Sequence, residues 1–279
     1  MRLLVTGAAG TIGSVLCPRL VERGHDVTGI DLTSAPAGFT GAWASADCTD
    51  PATVGAVFDE ADRAGGLDAV VHLAGIPTEA SLSETLDSHV RSTAVLLDAM
   101  VASSVGRMVY ASSNHAVGRT PRAELLGVDV PPRPDTFYGV GKVAAEAVLR
   151  LYVDRHGIDA VALRIGSFLP RPETRRHLST WLSHEDAVRL VDACLTAPHP
   201  GFAVLYGVSA NTRGWWDLEP GRRLGYQPED DAEEFASTVE AAPTTPADEA
   251  EAAHVGGDYA TAEYHRPAVD RPHQAPASD

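Results

Sequence analysis

The sequence predicts an α/β fold, a doubly wound parallel sheet flanked by helices, followed by a small C-terminal substrate-binding part and a disordered tail. Two observations carry this expectation. Short β-branched-rich runs alternate strictly with stretches of helical length, the pattern of parallel strands joined by crossover helices. The composition then changes near residue 237, where bulky apolar residues nearly cease.

Strand-length runs fall at 3–6, 26–30, 69–73, 107–112, 160–165 and 203–206, with helical stretches at 12–23, 51–64, 83–104, 138–156 and 184–196. The last of these helices has a defined start. Ser183 can cap it, and Asp186 stands three residues on, as in a capping box. With 279 residues, 44% of them apolar, the chain can bury a sizeable core.

Composition excludes several classes. A formal charge of −16 argues against a nucleic-acid binder or a polybasic membrane-surface protein. No apolar run approaches the ~18 residues that a spanning helix needs. The N-terminal residues enter the first strand at once and leave no room for an apolar leader, so a cytosolic protein is expected. Cys17, Cys48 and Cys194 are widely separated and read as reduced thiols. The 11 histidines form no HxH or HExxH spacing, so no metal site is expected.

The charge is unevenly placed, with a net of −11 in residues 229–279 against −5 in residues 1–228. Residues 237–279, rich in Ala, Pro, Glu and Thr, read as a disordered, solvated tail. The basic residues are uneven in kind. Of the 22 cations 21 are arginine, and Lys142 is the only lysine, which marks it for chemistry that a planar guanidinium cannot perform.

Thr6-Gly7-Ala8-Ala9-Gly10-Thr11-Ile12-Gly13 follows the first strand and opens the first helix. Gly7 permits a tight turn, Gly10 lets a pyrophosphate approach the backbone, and Gly13 lets the helix pack on the sheet. Thr11 and Ile12 sit at the helix N-terminus, which offers amide donors and positive dipole. Asp31, at the end of the second strand, is placed to accept bonds from adenosine ribose hydroxyls. No arginine follows in Leu32, Thr33 or Ser34 to balance a 2′-phosphate, so the expected cofactor is NAD rather than NADP. Residues 1–170 therefore read as a Rossmann-type dinucleotide-binding domain carrying the catalytic residues, 171–236 as a substrate-binding, closing region, and 237–279 as the tail.

Tyr138 and Lys142 stand one helical turn apart on one face. A free phenol has a pKa of ~10, and a nearby ammonium lowers it toward the range where phenolate acts as a base. Upstream, Val109-Tyr110-Ala111-Ser112-Ser113-Asn114-His115 ends a strand in hydroxyls, at the edge where parallel sheets bind ligands.

The glycine turn, the serine and the YxxxK pair together resemble the extended short-chain dehydrogenase/reductases of the NAD-dependent epimerase/dehydratase superfamily. The resemblance implies that Tyr138 is the general base, that Lys142 lowers its pKa and holds the nicotinamide ribose, and that Ser113 orients the reacting hydroxyl. It also implies adenine contacts at Asp47 and Cys48, and cofactor contacts at Leu73, Ala74, Gly75 and Ile165. Segments 111–115 (ASSNH), 129–142 (DVPPRPDTFYGVGK), 163–167 (LRIGS), 178–186 (LSTWLSHED) and 209–217 (SANTRGWWD) resemble the uronate dehydrogenase branch, a likeness that runs to about residue 235. That branch implies NAD-dependent oxidation of the C1 hydroxyl of galacturonate or glucuronate to the aldarolactone. Sugar contacts would come from Ser113, Asn114, His115 and Ser167, and Arg176 would pair with the carboxylate.

The Trp215–Trp216 pair serves as readily to anchor the packing of the C-terminal region as to stack on a sugar, and is not assigned to the site. Two positions depart from the branch. His89 stands where relatives carry an asparagine that orders a relay water, and Pro77 stands where they carry a substrate-binding serine. Histidine still donates and accepts, whereas proline has no hydroxyl. Two rival readings are a sugar-nucleotide epimerase or dehydratase and a non-catalytic dinucleotide-binding sensor. The former usually carries a larger C-terminal domain than follows Ser167, and the latter has no use for Ser113, Tyr138 and Lys142. The partners expected are a small sugar acid and further copies of the chain in a homo-oligomer, with no nucleic acid and no membrane.

Overall fold

Seven parallel strands carry the molecule, of which the computed structural model describes residues 1–122, 124–241 and 243–261. They are β1 (Arg2–Thr6), β2 (Asp26–Asp31), β3 (Ala42–Ser45), β4 (Ala69–His72), β5 (Arg107–Ser113), β6 (Asp159–Ile165) and, after a two-stranded pair β7 (Ser167–Phe168) and β8 (Trp181–Leu182), β9 (Phe202–Gly207). The order β3-β2-β1-β4-β5-β6-β9 reverses direction between β1 and β4, which opens a ligand crevice at the carboxyl ends of those two strands.

The helices are α1 (Gly13–Glu22), α2 (Pro51–Arg63), α3 (Leu82–Thr85), α4 (Ser92–Ala102), α5 (Phe137–His156), α6 (His177–Thr180), α7 (His184–Thr196), α8 (Glu219–Arg223), α9 (Ala236–Val239) and α10 (Pro246–Ala252). A π-helical turn, Leu86–Arg91, joins α3 to α4. Alternate strand residues face opposite layers. Leu3, Val5, Val109 and Val161 pack with Leu16 and Leu20 of α1 and Val188 and Val191 of α7. Leu4, Val70, Met108 and Ala160 pack with Phe58 of α2, Leu97 of α4 and Leu149 of α5. A sheet buried on both faces needs continuous apolar strands, which is why the strand runs stand out in the sequence.

Three features differ from expectation. The edge strand β3 reads Ala-Trp-Ala-Ser with no fully buried residue, so it carries no β-branched or alternating signal. Ser183 does cap α7, its Oγ accepting from Asp186 N at 2.9 Å. The box is not closed, because the Asp186 carboxylate accepts instead from Glu229 N and Asp230 N and pairs with Arg189.

The disordered tail expected from residue 237 is corrected over 237–241 and 243–261, where α9, α10 and a final 3₁₀ turn, Gly257–Ala260, lie against the domain. Residues 253–256 run antiparallel beside 118–122, with Arg122 N donating to Ala253 O, Val255 N to Thr120 O and Gly256 N to Gly118 O. One apolar plug, the fully buried Val255, joins Val117, Tyr206, Trp215 and Trp216 in a small core. Backbone pairing and a single anchor leave little compositional trace. Residues 262–279 lie outside the described residues.

Candidate active site

The crevice between β1 and β4 is built for close backbone approach. Gly7 has φ of +66°, and a Cβ there would stand 2.8 Å from Ala74 N. A Cβ on Gly13 would stand 2.3 Å from Gly7 O, so only glycine lets α1 start against the turn. Thr6 ties the two strand ends together. Its Oγ1 accepts from Leu73 N and Ala74 N, both at 3.2 Å, and donates to His72 Nδ1 at 2.7 Å. Asp31 is fixed by Ala9 N at 3.0 Å and by Thr33 N and Oγ1 at 3.1 Å. Gly10 and Thr11 are exposed at the mouth, and Ile12 immediately precedes α1. Farther out, the exposed Asp47 accepts from Thr49, and the buried Cys48 thiol is pushed up to about 12 by burial, which leaves it inert. This glycine cradle, with the Asp31 carboxylate at the end of the neighbouring strand, fits a dinucleotide.

Ser113 ends β5 opposite Ile165 of β6, so both expected contacts lie at the same sheet edge as Gly75. α5 begins with Thr136 as its cap, whose Oγ1 accepts from Gly139 N at 3.0 Å. Tyr138 falls in the first turn, where the Glu79 carboxylate accepts from Phe137 N and Tyr138 N at 3.1 Å each. The partly buried phenol is pushed up to about 12 by burial, against a hydrogen bond with Ser113 that lowers it. One turn on, Lys142 is buried with Nζ 2.6 Å from Ala111 O and 5.4 Å from the Tyr138 ring centroid. Burial pulls its pKa down to about 7, opposed by Glu146, which is itself held by Arg164 and Ser112.

His89 is buried on the other side of Tyr138, ring centroids 5.3 Å apart. It donates from Nε2 to Ile76 O at 3.1 Å, and among the described residues Nδ1 has no partner. Burial, with the Lys142 charge adding to it, holds the imidazole down to about 2, so His89 is neutral and presents Nδ1 as an acceptor. Pro77 is exposed, and the neighbouring Thr78 hydroxyl meets Tyr259 Oη at 3.1 Å.

Three of the residues expected to meet substrate, Asn114, His115 and Arg176, converge on the C-terminal segment. Asn114 Nδ2 donates to Val255 O at 3.3 Å, and Arg176 Nη2 donates to the same oxygen. Arg176 is partly buried, and a Cβ on Gly257 would stand 2.4 Å from its Nε. Burial lowers its pKa, opposed chiefly by Asp258 and Glu251. Ser167 Oγ pairs with Thr180 Oγ1 at 2.8 Å on the same side. His115 lies between Tyr138 and Tyr259, with ring centroids at 5.8 Å and 4.5 Å. Beside Arg176 opens a cavity of about 320 Å³ walled by Arg122, Arg175, Arg176 and Trp215 and by Asp248 and Glu249 of α10. Trp215 and Trp216 stack at 3.8 Å, and Trp216 Nε1 donates to Ser179 O, so the pair anchors the closing region.

Sequence reasoning missed Glu79, Asp135, Val255 and Tyr259. Asp135 lies within the start signal Pro134-Asp135-Thr136, where a second buried acceptor reads as an ordinary turn residue. Val255 and Tyr259 are isolated among Gly, Ala and Asp, so no periodicity marks them.

Fold and site define a class. The model described as the NAD dependent epimerase/dehydratase family matches residues 3–184, and the chain belongs to that family. Within it, the chain is similar to the uronate dehydrogenase of Pseudomonas putida, at 37% identity over 94% of this chain and 96% of that one. The crystal structure of uronate dehydrogenase from Agrobacterium tumefaciens is 39% identical, with a TM-score of 0.85 over 93% of this chain and 96% of that one. A mutant of it has been solved in complex with NAD. A glucuronic acid dehydrogenase from Chromohalobacter salexigens is 33% identical, with a TM-score of 0.86 over 93% of this chain and 96% of that one.

Proposed function

We propose that this protein oxidises the anomeric C1 hydroxyl of a hexuronic acid, galacturonate or glucuronate, to the aldarolactone with NAD. The observation that carries the reading is the convergence of Asn114 and Arg176 on one oxygen acceptor beside Ser113 and Tyr138. A sugar carboxylate beside Val255 O would meet the remaining N–H groups of the guanidinium and the amide, which Val255 O holds in place, and this fixes the sugar in one orientation. Bound NAD supplies the acceptor for the hydride that leaves C1.

The chain's own groups supply the rest. Ser113 holds the C1 oxygen, and Tyr138 takes its proton. Burial holds the phenol well above neutral, so Lys142 must remain charged and close for phenolate to form. His89 Nδ1, an acceptor with no partner among the described residues, would hold a relay water in the role that relatives give to asparagine. Asp31, Asp47, Cys48, Gly7, Gly10, Gly13, Thr11, Ile12, Leu73, Ala74, Gly75 and Ile165 form the cofactor side, and Asn114, His115, Ser167 and Arg176 the sugar side. Three buried, unpaired cysteines suit a reducing cytoplasm, where we place the enzyme as a homo-oligomer.

Product analysis tests the reading. Incubation with NAD and galacturonate or glucuronate should give the corresponding lactone by NMR, in amounts equal to the NADH formed. An epimerised sugar with no NADH would overturn it. The epimerase reading has less support, because the described chain beyond Ser167 folds back onto Asn114 and Arg176 rather than forming a separate nucleotide-sugar domain.

A further inference from the structure

Asp135 sits directly before the α5 cap with its side chain fully buried. Oδ2 lies 2.8 Å from His115 Nδ1, and Oδ1 accepts from Thr136 Oγ1 at 3.0 Å. The slot around the carboxylate is cleared by two glycines from distant parts of the chain. A Cβ on Gly118 would stand 2.0 Å from Oδ2, and a Cβ on Gly256 would stand 1.8 Å from it. These glycines are joined by the bond from Gly256 N to Gly118 O at 2.8 Å. Any side chain at either position would push the carboxylate off the histidine.

The histidine is held on its other sides as well. Its backbone N donates to Ser113 Oγ at 3.2 Å, while its ring lies against Tyr259 and edge-on to Tyr138. An ionised carboxylate only accepts hydrogen bonds, so Nδ1 must carry the proton facing Asp135. Nε2 of the neutral ring is then a bare acceptor, and no described residue bonds it, although the side chain is 18% exposed beside the phenol.

We propose that Asp135 is a positioning residue that locks His115 in the Nδ1–H tautomer, so that Nε2 accepts a hydrogen bond from a sugar hydroxyl next to the reacting carbon. The identity of that hydroxyl rests on the sugar-acid reading; the lock does not. The C-terminal segment belongs to the device, because Gly256 forms one wall of the carboxylate slot.

Imidazole nitrogen NMR of the full-length, histidine-labelled protein tests it, with the His115 signal identified by its loss in His115→Gln. Nδ1–H is expected in the unaltered protein. In Asp135→Asn the Thr136 hydroxyl keeps the amide oxygen, the NH₂ turns to His115, and the ring switches to Nε2–H. The KM for uronate should then rise about tenfold with the Kd for NAD unchanged, the loss of one hydrogen bond made to substrate. Gly256→Ala should move both readouts the same way without altering the carboxylate itself. Nε2–H in the unaltered protein, or an unchanged tautomer and KM in Asp135→Asn, overturns the proposal. If the tautomer switches as expected but the unaltered enzyme does not oxidise uronates, the lock stands and the sugar-acid reading falls.

Discussion

The two ends of this active site are held in different ways. At the cofactor end, residues adjacent in sequence do the work. A five-residue strand runs into the glycine turn, and Thr6 reaches the next strand end through single hydrogen bonds to Leu73 and Ala74. At the proposed substrate end, Asn114, His115 and Arg176 are positioned by Val255, Gly256 and Tyr259, which come from a segment more than seventy residues further along the chain. Order there depends on backbone carbonyls and close approach, with little apolar mass. The cofactor end should therefore survive damage to the C-terminal segment, and the substrate end should not.

Lys142→Arg should have the largest effect. The ammonium is enclosed by Ala111 O and the rings of Tyr110 and Tyr138, and a guanidinium is too broad for that space. We expect kcat to fall by about 10²–10⁴-fold, measured as initial NADH formation. A loss below tenfold would mean that the two ends do not meet at this residue. Arg176→Ala should come next, raising the KM for uronates by about 10–100-fold, the worth of a charge-assisted bond, with the Kd for NAD unchanged. Equal loss of both would erase the division between the ends.

Removing residues 254–279 should raise the KM for uronates by about tenfold while NAD still binds, since one hydrogen-bonding network is lost on the sugar side alone. A deletion without effect would mean that the segment packs on the domain without ordering the sugar side.

Outside turnover, the expected effect is on stability in acid. Burial holds His72 down to about 3 and His89 down to about 2, against 6.5 for a free imidazole. Below pH 6.5 the unfolded chain binds protons that the fold excludes, so stability falls as pH drops, by about 1.4 kcal/mol per pH unit for each histidine. His89→Asn should remove roughly half of that slope in denaturant titrations between pH 6 and about pH 4. An unchanged slope would place the acid sensitivity elsewhere.

The legible parts of this molecule are the local ones. Strands buried on both faces announce themselves as apolar runs, and Gly7, Gly13, Asp31, Tyr138 and Lys142 lie at spacings that a helix or turn fixes. The edge strand β3 escaped because half-exposed Ala-Trp-Ala-Ser has no pattern to show. The C-terminal segment escaped for a different reason. Val255 is one valine in a polar stretch, and its burial depends on a cavity built by Val117, Tyr206 and Trp216 more than a hundred, nearly fifty and nearly forty residues away. Asp135 looked like turn chemistry, and its partner His115 looked like a sugar contact. Only the folded chain brings the two within 2.8 Å.

The most direct measurement is NADH formation by the purified enzyme with galacturonate, glucuronate, galactose, glucose and UDP-sugars in parallel. Both or either uronate should reduce NAD, the neutral sugars should be slower by about 10–100-fold for want of a carboxylate to meet Arg176, and UDP-sugars should give nothing. Silence with both uronates, together with interconversion of UDP-sugars without net NADH, would contradict the proposed activity.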